Sequence, residues 1–190
     1  IFMEHAAPEG TGAMSAVLGL DAAVIEDVLN GREGVSIANY NCPGQIVITG
    51  EAKAVAEAGT ALKEAGARRV LPLKVSGPFH SPMMRPAGEE LAKVFAGVSM
   101  NPLKVPYVAN INAEVITDCG KIEELLVAQV SGSVRWQQSV ETMIREGVDT
   151  FVEIGPGKTL TGFLRKIDKN VKSYHIGSWE EAVLVCEELK

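Results

Sequence analysis

The run Val75-Ser76-Gly77-Pro78-Phe79-His80-Ser81-Pro82 sets an imidazole between a β-rich stretch and the start of a helix. Imidazole suits proton transfer because its ordinary pKa, about 6.5, lets it accept and return a proton near neutrality. A single histidine in a loop is more often a packed structural side chain. Here Gly77 and Pro78 constrain the backbone and Phe79 supplies an aromatic wall. Ser81 followed by Pro82 is a hydroxyl cap with proline in the first helical turn. His80 is therefore a candidate base, weighed against the structural alternative. His5 and His175 have no such setting and are read as structural.

Two other stretches invite chemistry. Asn39-Tyr40-Asn41-Cys42-Pro43-Gly44-Gln45 is dense in amides, which either bind a substrate carbonyl or satisfy their own turn. Gly155-Pro156-Gly157-Lys158-Thr159 has the end of a phosphate loop, but Val152 stands where such a loop needs its first glycine. That stretch is read as a tight strand-to-helix turn. Cys42, Cys119 and Cys186 are odd in number and far apart, which fits reduced thiols rather than disulfides or a metal site.

The elements around these residues follow from hydrophobic periodicity. Met14 to Leu18 has strand length, and a helix opens at Asp21. Val35 to Tyr40 and Ile46 to Thr49 are strands joined across Pro43-Gly44. Glu51 to Ala65 carries an apolar stripe at spacings of three and four, and Arg69 to Val75 is a further strand. The order β-α-β-β-α-β over residues 12–75 is that of a ferredoxin-like unit.

Beyond it, the pattern predicts a helix from Ser81 through Phe95 and a strand from Val105 to Ile111, with a second possible at Val115 to Thr117. Helices follow over Ile122 to Val130 and Gln137 to Glu146, then a strand from Phe151 to Ile154. A helix from Thr159 to Ile167, a strand from Ser173 to Ile176 and a helix from Glu180 to Leu189 close the chain. This α/β alternation predicts a parallel sheet flanked by helices.

The chain has 190 residues, 46% hydrophobic and 22% charged, enough to bury a core in one or two domains. Its 18 Lys and Arg against 24 Asp and Glu give a net charge of −6, which disfavours binding to nucleic acid or membrane surfaces. No apolar run reaches the roughly 18 residues of a bilayer span, and the start lacks a signal-peptide pattern, so a cytoplasmic location is expected. The chain begins at Ile1 and enters a turn at Pro8-Glu9-Gly10-Thr11-Gly12, as though cut from something longer.

Four motifs resemble, in order, those of the malonyl-CoA:acyl carrier protein transacylases. They are Pro8-Glu9-Gly10-Thr11-Gly12-Ala13-Met14, Asn39 through Gln45 with Ile46-Val47-Ile48-Thr49-Gly50, Gly77-Pro78-Phe79-His80-Ser81, and Glu153-Ile154-Gly155-Pro156-Gly157-Lys158-Thr159-Leu160. The resemblance implies an α/β fold: an α/β-hydrolase-like large subdomain, incomplete here, with an inserted ferredoxin-like βαββαβ small subdomain. Residues 1–11 would end the first part of the large subdomain, 12–75 would form the small one, and 76–190 the rest of the large one.

The resemblance also implies a serine-ester mechanism in fatty acid biosynthesis, with malonyl passing from coenzyme A to the phosphopantetheine thiol of acyl carrier protein. His80 would be the base, oriented by the main-chain carbonyl of Gln129, whose side chain would matter less than its backbone. Asn39 and Asn41 would lie near the pantetheine, Met3 in the acyl pocket, and Phe79 would select against an α-methyl. Malonyl-CoA is the substrate, and no cofactor or metal is implied.

The family's serine lies on a Gly-His-Ser-Leu-Gly elbow, and this chain has no Gly-x-Ser-x-Gly. The oxyanion donors and the arginine for the malonyl carboxylate are missing with it, so the chain reads as a C-terminal part that needs the N-terminal part as partner and is inactive alone. Two other readings remain: a non-catalytic ferredoxin-like module that docks carrier protein, and an independent hydrolase using Ser76 or Ser81.

Overall fold

The computed structural model of the chain describes residues 2–8, 10–75 and 77–189. Ser76, one of the two alternative nucleophiles, lies outside the described residues, as do Ile1, Glu9 and Lys190. A short helix not expected from sequence, α1 (Phe2–His5), comes first. Then follow β1 (Gly12–Leu18), α2 (Ala22–Leu29), β2 (Val35–Cys42), β3 (Gln45–Glu51), α3 (Ala52–Glu64) and β4 (Arg69–Pro72). The four strands form one antiparallel sheet in the order β2-β3-β1-β4. The strand predicted through Val75 stops at Pro72, which has no N–H to donate, although Leu73 N still donates to Met14 O at 2.9 Å.

Strand alternation gives this sheet two different faces. Val17, Ile37 and Ile48 point toward α2 and α3, where they meet Ile25, Val55 and Leu62 in the main core. Burying each such side chain contributes about 1.5–3 kcal/mol. Met14, Ala38 and Val47 point the other way and carry the Phe79 ring. The small sheet therefore packs helices on one side and the His80 connection on the other.

After that connection a 3-10 turn (Pro82–Met84) runs into α4 (Arg85–Phe95). The remaining elements are β5 (Tyr107–Val108), β6 (Val115–Ile116), α5 (Ile122–Ser131), α6 (Trp136–Arg145), β7 (Thr150–Ile154), α7 (Thr159–Ile167), β8 (Lys172–Ile176) and α8 (Trp179–Glu188). β7 and β8 pair in parallel, as the alternation predicts.

The expected continuous parallel sheet is corrected. The strand predicted over 105–111 shrinks to β5, which pairs antiparallel with β6 rather than joining β7. Pro102 and Pro106 remove backbone donors on both sides of Val105, and the chain turns after Ala109. In that turn Ala113 takes φ 60° and its N–H donates to Ala109 O at 2.8 Å. No helix among the described residues is long and apolar enough to cross a membrane.

Candidate active site

His80 lies in a turn held by its neighbour. The wholly buried Ser81 donates its hydroxyl to Pro78 O at 2.6 Å and accepts from Met83 N at 3.2 Å, the cap expected ahead of Pro82. Between Pro78 and Ser81, His80 takes φ 58°, a left-handed conformation that costs a non-glycine residue about 1–2 kcal/mol. There its Nδ1 lies 3.0 Å from the main-chain oxygen of Gln129. A carbonyl only accepts, so Nδ1 carries the proton and Nε2 presents the lone pair. The histidine is thus set with a proton acceptor facing away from its anchor.

Gln129 offers that carbonyl because of its place in the helix. It is in the last turn of α5, where main-chain oxygens have no partner four residues on. α5 packs against α4 and the 3-10 turn, which brings this helix end to His80. The Gln129 side chain is itself engaged: Nε2 donates to Gly132 O at 2.9 Å and to Ser133 O at 3.3 Å. Both the main-chain oxygen and the side-chain amide of Gln129 thus have partners.

Residues 132–135 are in turn stitched to the small sheet. Ser133 Oγ donates to Ile37 O at 2.6 Å, Val134 N to Ala38 O at 2.7 Å, and Tyr40 N to Val134 O at 2.9 Å. The Arg135 guanidinium stands 5.6 Å from the centre of the Tyr40 ring. Burial first, then the hydrogen bond and charge of Glu26, push the Tyr40 phenol up to about 12, against a downward pull from Arg135. Ser133 escaped the sequence reading; its only signal was the small polar turn Ser131-Gly132-Ser133 directly after the helix bearing Gln129.

The other candidates fall at varying removes. Phe79 packs on Met14, Ala38 and Val47 immediately before His80. Asn39 stands opposite Val47 in the β2–β3 ladder, on the face away from the helix-covered core that holds the Tyr40 ring, and Asn41 lies in the irregularity between Tyr40 and Cys42, where the register shifts. Met3 is half-buried on α1, which packs against α4. Among the described residues, neither asparagine makes a side-chain hydrogen bond to the His80 centre. His175 donates through Nε2 to Gly155 O, 2.9 Å away.

The Gly155-Pro156-Gly157 turn leads into a helix start that is already occupied. Glu153 accepts from Leu160 N at 3.0 Å, from Thr161 N at 2.7 Å and from Thr161 Oγ1 at 2.7 Å. A carboxylate therefore takes the amides that a phosphate would need, consistent with a structural turn.

Taken with its α/β frame, this chain has the fold of acyl-transfer enzymes. A malonyl CoA-acyl carrier protein transacylase from Clostridium perfringens superposes with a TM-score of 0.94 at 40% identity, over 99% of this chain and 60% of that one. A malonyl-transacylase solved with a type II polyketide acyl-carrier protein gives 0.91 at 38% identity, over 98% and 62%. The chain belongs to the acyl transferase domain family, whose model matches residues 2–183. It is 44% identical to the malonyl CoA-acyl carrier protein transacylase of Bacillus subtilis, across all of this chain and 61% of the relative. For the Escherichia coli K12 transacylase the identity is 46%, across 87% of this chain and 55% of the relative. The chain thus spans less than two thirds of the length of these proteins.

Proposed function

We propose that this chain supplies the base of a malonyltransferase that loads acyl carrier protein for fatty acid synthesis. The observation that carries the reading is the 3.0 Å contact from His80 Nδ1 to Gln129 O, which leaves Nε2 free to take a proton. A serine hydroxyl gives its proton to Nε2 as its oxygen bonds to the malonyl thioester carbon. The carbon–sulfur bond then breaks, and the departing coenzyme A sulfur receives that proton. The second half reverses the order with the phosphopantetheine thiol of acyl carrier protein. Each time the imidazolium forms, it sits against the negative end of α5, a favourable placement worth about 0.3–1 kcal/mol.

In this reading residues 12–75 are a ferredoxin-like subdomain set into a hydrolase-like one made by 1–11 and 76–190. The serine, the oxyanion donors and the carboxylate-binding arginine come from the portion of such enzymes that this chain does not span. Asn39 and Asn41 face the pantetheine, Met3 lines the acyl pocket, and Phe79 sets the shape that excludes a branched acyl group.

A radiolabelled malonyl-CoA assay tests this. The 190-residue chain alone should transfer nothing, whereas the chain joined behind the unmatched segment of the Bacillus subtilis relative should acylate on serine and pass malonyl to holo acyl carrier protein. Turnover by the pure chain overturns its dependence on that segment. A well-folded joined protein that never becomes acylated overturns the function.

A further inference from the structure

We propose that Ser133 and the side-chain amide of Gln129 are positioning residues for His80, links in a hydrogen-bond relay that runs from strand β2 to the imidazole. The inference rests on reading His80 as the base, and it goes beyond the main-chain carbonyl that touches it. Ser133 Oγ donates to Ile37 O of β2 at 2.6 Å, and Gln129 Nε2 donates to Ser133 O at 3.3 Å and Gly132 O at 2.9 Å. Gln129 O then lies 3.0 Å from His80 Nδ1. Every side-chain link gives a proton to a main-chain oxygen, so no link can reverse without losing its partner.

The relay matters because the last carbonyls of a helix are its least constrained. Their direction depends on how the final turn is closed, and here it is closed from outside the helix. The Gln129 amide folds back over the two carbonyls that follow α5, and Ser133 pins that segment to the sheet. Gly132 lets the chain pass: a methyl group there would lie 2.1 Å from Ile111 Cδ1 and 3.0 Å from Ala128 O. Remove a link, and the Gln129 oxygen loses its fixed aim. The imidazole is then no longer held as the Nδ1–H tautomer, and Nε2 is protonated in part of the molecules. A base with its lone pair on the wrong nitrogen cannot act.

Strand β2 also carries Asn39 and Asn41, so the relay joins the strand assigned to the pantetheine with the base that acts on it.

The test uses the joined, serine-bearing protein with Ser133→Ala, Gln129→Met and Ser133→Thr. Gln129→Met keeps the main-chain carbonyl and removes the amide; Ser133→Thr keeps the hydroxyl. Nitrogen-15 spectra of labelled histidine, with His80 assigned by its loss in His80→Asn, report the tautomer directly. Wild type and Ser133→Thr should show Nδ1–H. Ser133→Ala and Gln129→Met should show a mixture, with kcat for malonyl transfer lowered roughly 10- to 100-fold and KM little changed. His175 should keep its signal throughout, since its Nε2 faces Gly155 O instead.

An unchanged His80 tautomer and kcat in folded Ser133→Ala and Gln129→Met overturns the relay even if malonyl transfer is normal. If Ser133→Ala does not fold, Gln129→Met decides alone. A tautomer change in a protein that transfers no malonyl leaves the relay standing and sinks the function.

Discussion

The ring of Pro78 fills the space that a side chain at Gly12 would need: a methyl group at Gly12 would lie 2.3 Å from Pro78 Cδ and 2.7 Å from Pro78 Cβ. Gly12 opens β1 and Pro78 opens the turn of His80, so the small sheet sets the position of His80 from this side as well. A proline ring cannot swing aside like a flexible side chain. Gly12→Ala should therefore cost about 1–3 kcal/mol by overpacking and should lower acyl transfer beyond that loss of stability. Gly10→Ala is the control, since among the described residues beyond its chain neighbours no atom lies within 4 Å of a methyl group there, and its φ of 79° is the strain it would carry. Denaturant melts measure the stability each variant loses, and rates per folded molecule separate the two; equal rates per folded molecule would deny the Gly12–Pro78 contact any special role.

Replacing His80 distinguishes a base from a packed histidine. His80→Asn is the better variant, because asparagine tolerates the φ of 58° more readily than alanine does. In the serine-bearing protein it should lower serine acylation by roughly 100- to 10,000-fold with the fold retained. Phe79→Ser should keep malonyl transfer within about tenfold while admitting methylmalonyl, since shape discrimination by one methyl is worth about 1–3 kcal/mol. Because Phe79 packs on Met14, Ala38 and Val47, the same change should lower the melting temperature. Near-normal transfer by folded His80→Asn would remove His80 from the mechanism.

Glu153 gives the turn before α7 a pH dependence. Burial pushes its carboxyl up, but the Thr161 hydroxyl, the Thr161 and Leu160 amides and His175 outweigh it, and the pKa lies below the ordinary value. A carboxyl lowered by folding stabilises the native state above its unfolded pKa, and that contribution is lost as pH falls through the lowered one. Glu153→Gln should therefore be less stable than wild type at neutral pH, and the gap should stay level down to the ordinary carboxylate pKa, about 4.3, and close as pH falls below it. Urea melts on both sides of that pH measure it. A gap of constant size would assign the effect to shape rather than charge.

The 190-residue chain by itself should self-associate. Ile154 is 78% exposed on β7, beside the two-stranded β7–β8 pair, and Trp179 and Leu184 are 78% and 60% exposed on α8. Parallel strands are ordinarily covered on both faces, and a two-stranded pair is marginal alone. Light scattering should report species larger than a monomer, and joining the unmatched segment should suppress them. A compact monomer with one cooperative melt would show that these apolar groups need no cover.

Local rules carried much of this protein. The β-α-β-β-α-β order over 12–75 was legible because each element has its own period and its own punctuation, and turn chemistry at Pro43-Gly44 left little freedom in how β2 meets β3. The Ser81 cap was legible for the same reason: a hydroxyl followed by proline acts on its own neighbours. The pairing of His80 with the Gln129 carbonyl was expected through family resemblance, not through spacing, since 49 residues separate them. What only the tertiary structure decided was which partners distant main-chain groups would find. Tyr107 and Val108 had the composition of a longer strand, but flanking prolines and a turn at Ala113 left them a two-residue ladder. Ser133 looked like one loop hydroxyl among many, and no local pattern could tie it to Ile37, 96 residues earlier. A main-chain oxygen is the same at every residue, so sequence can identify the side chain that donates but not the carbonyl that packing puts within its reach.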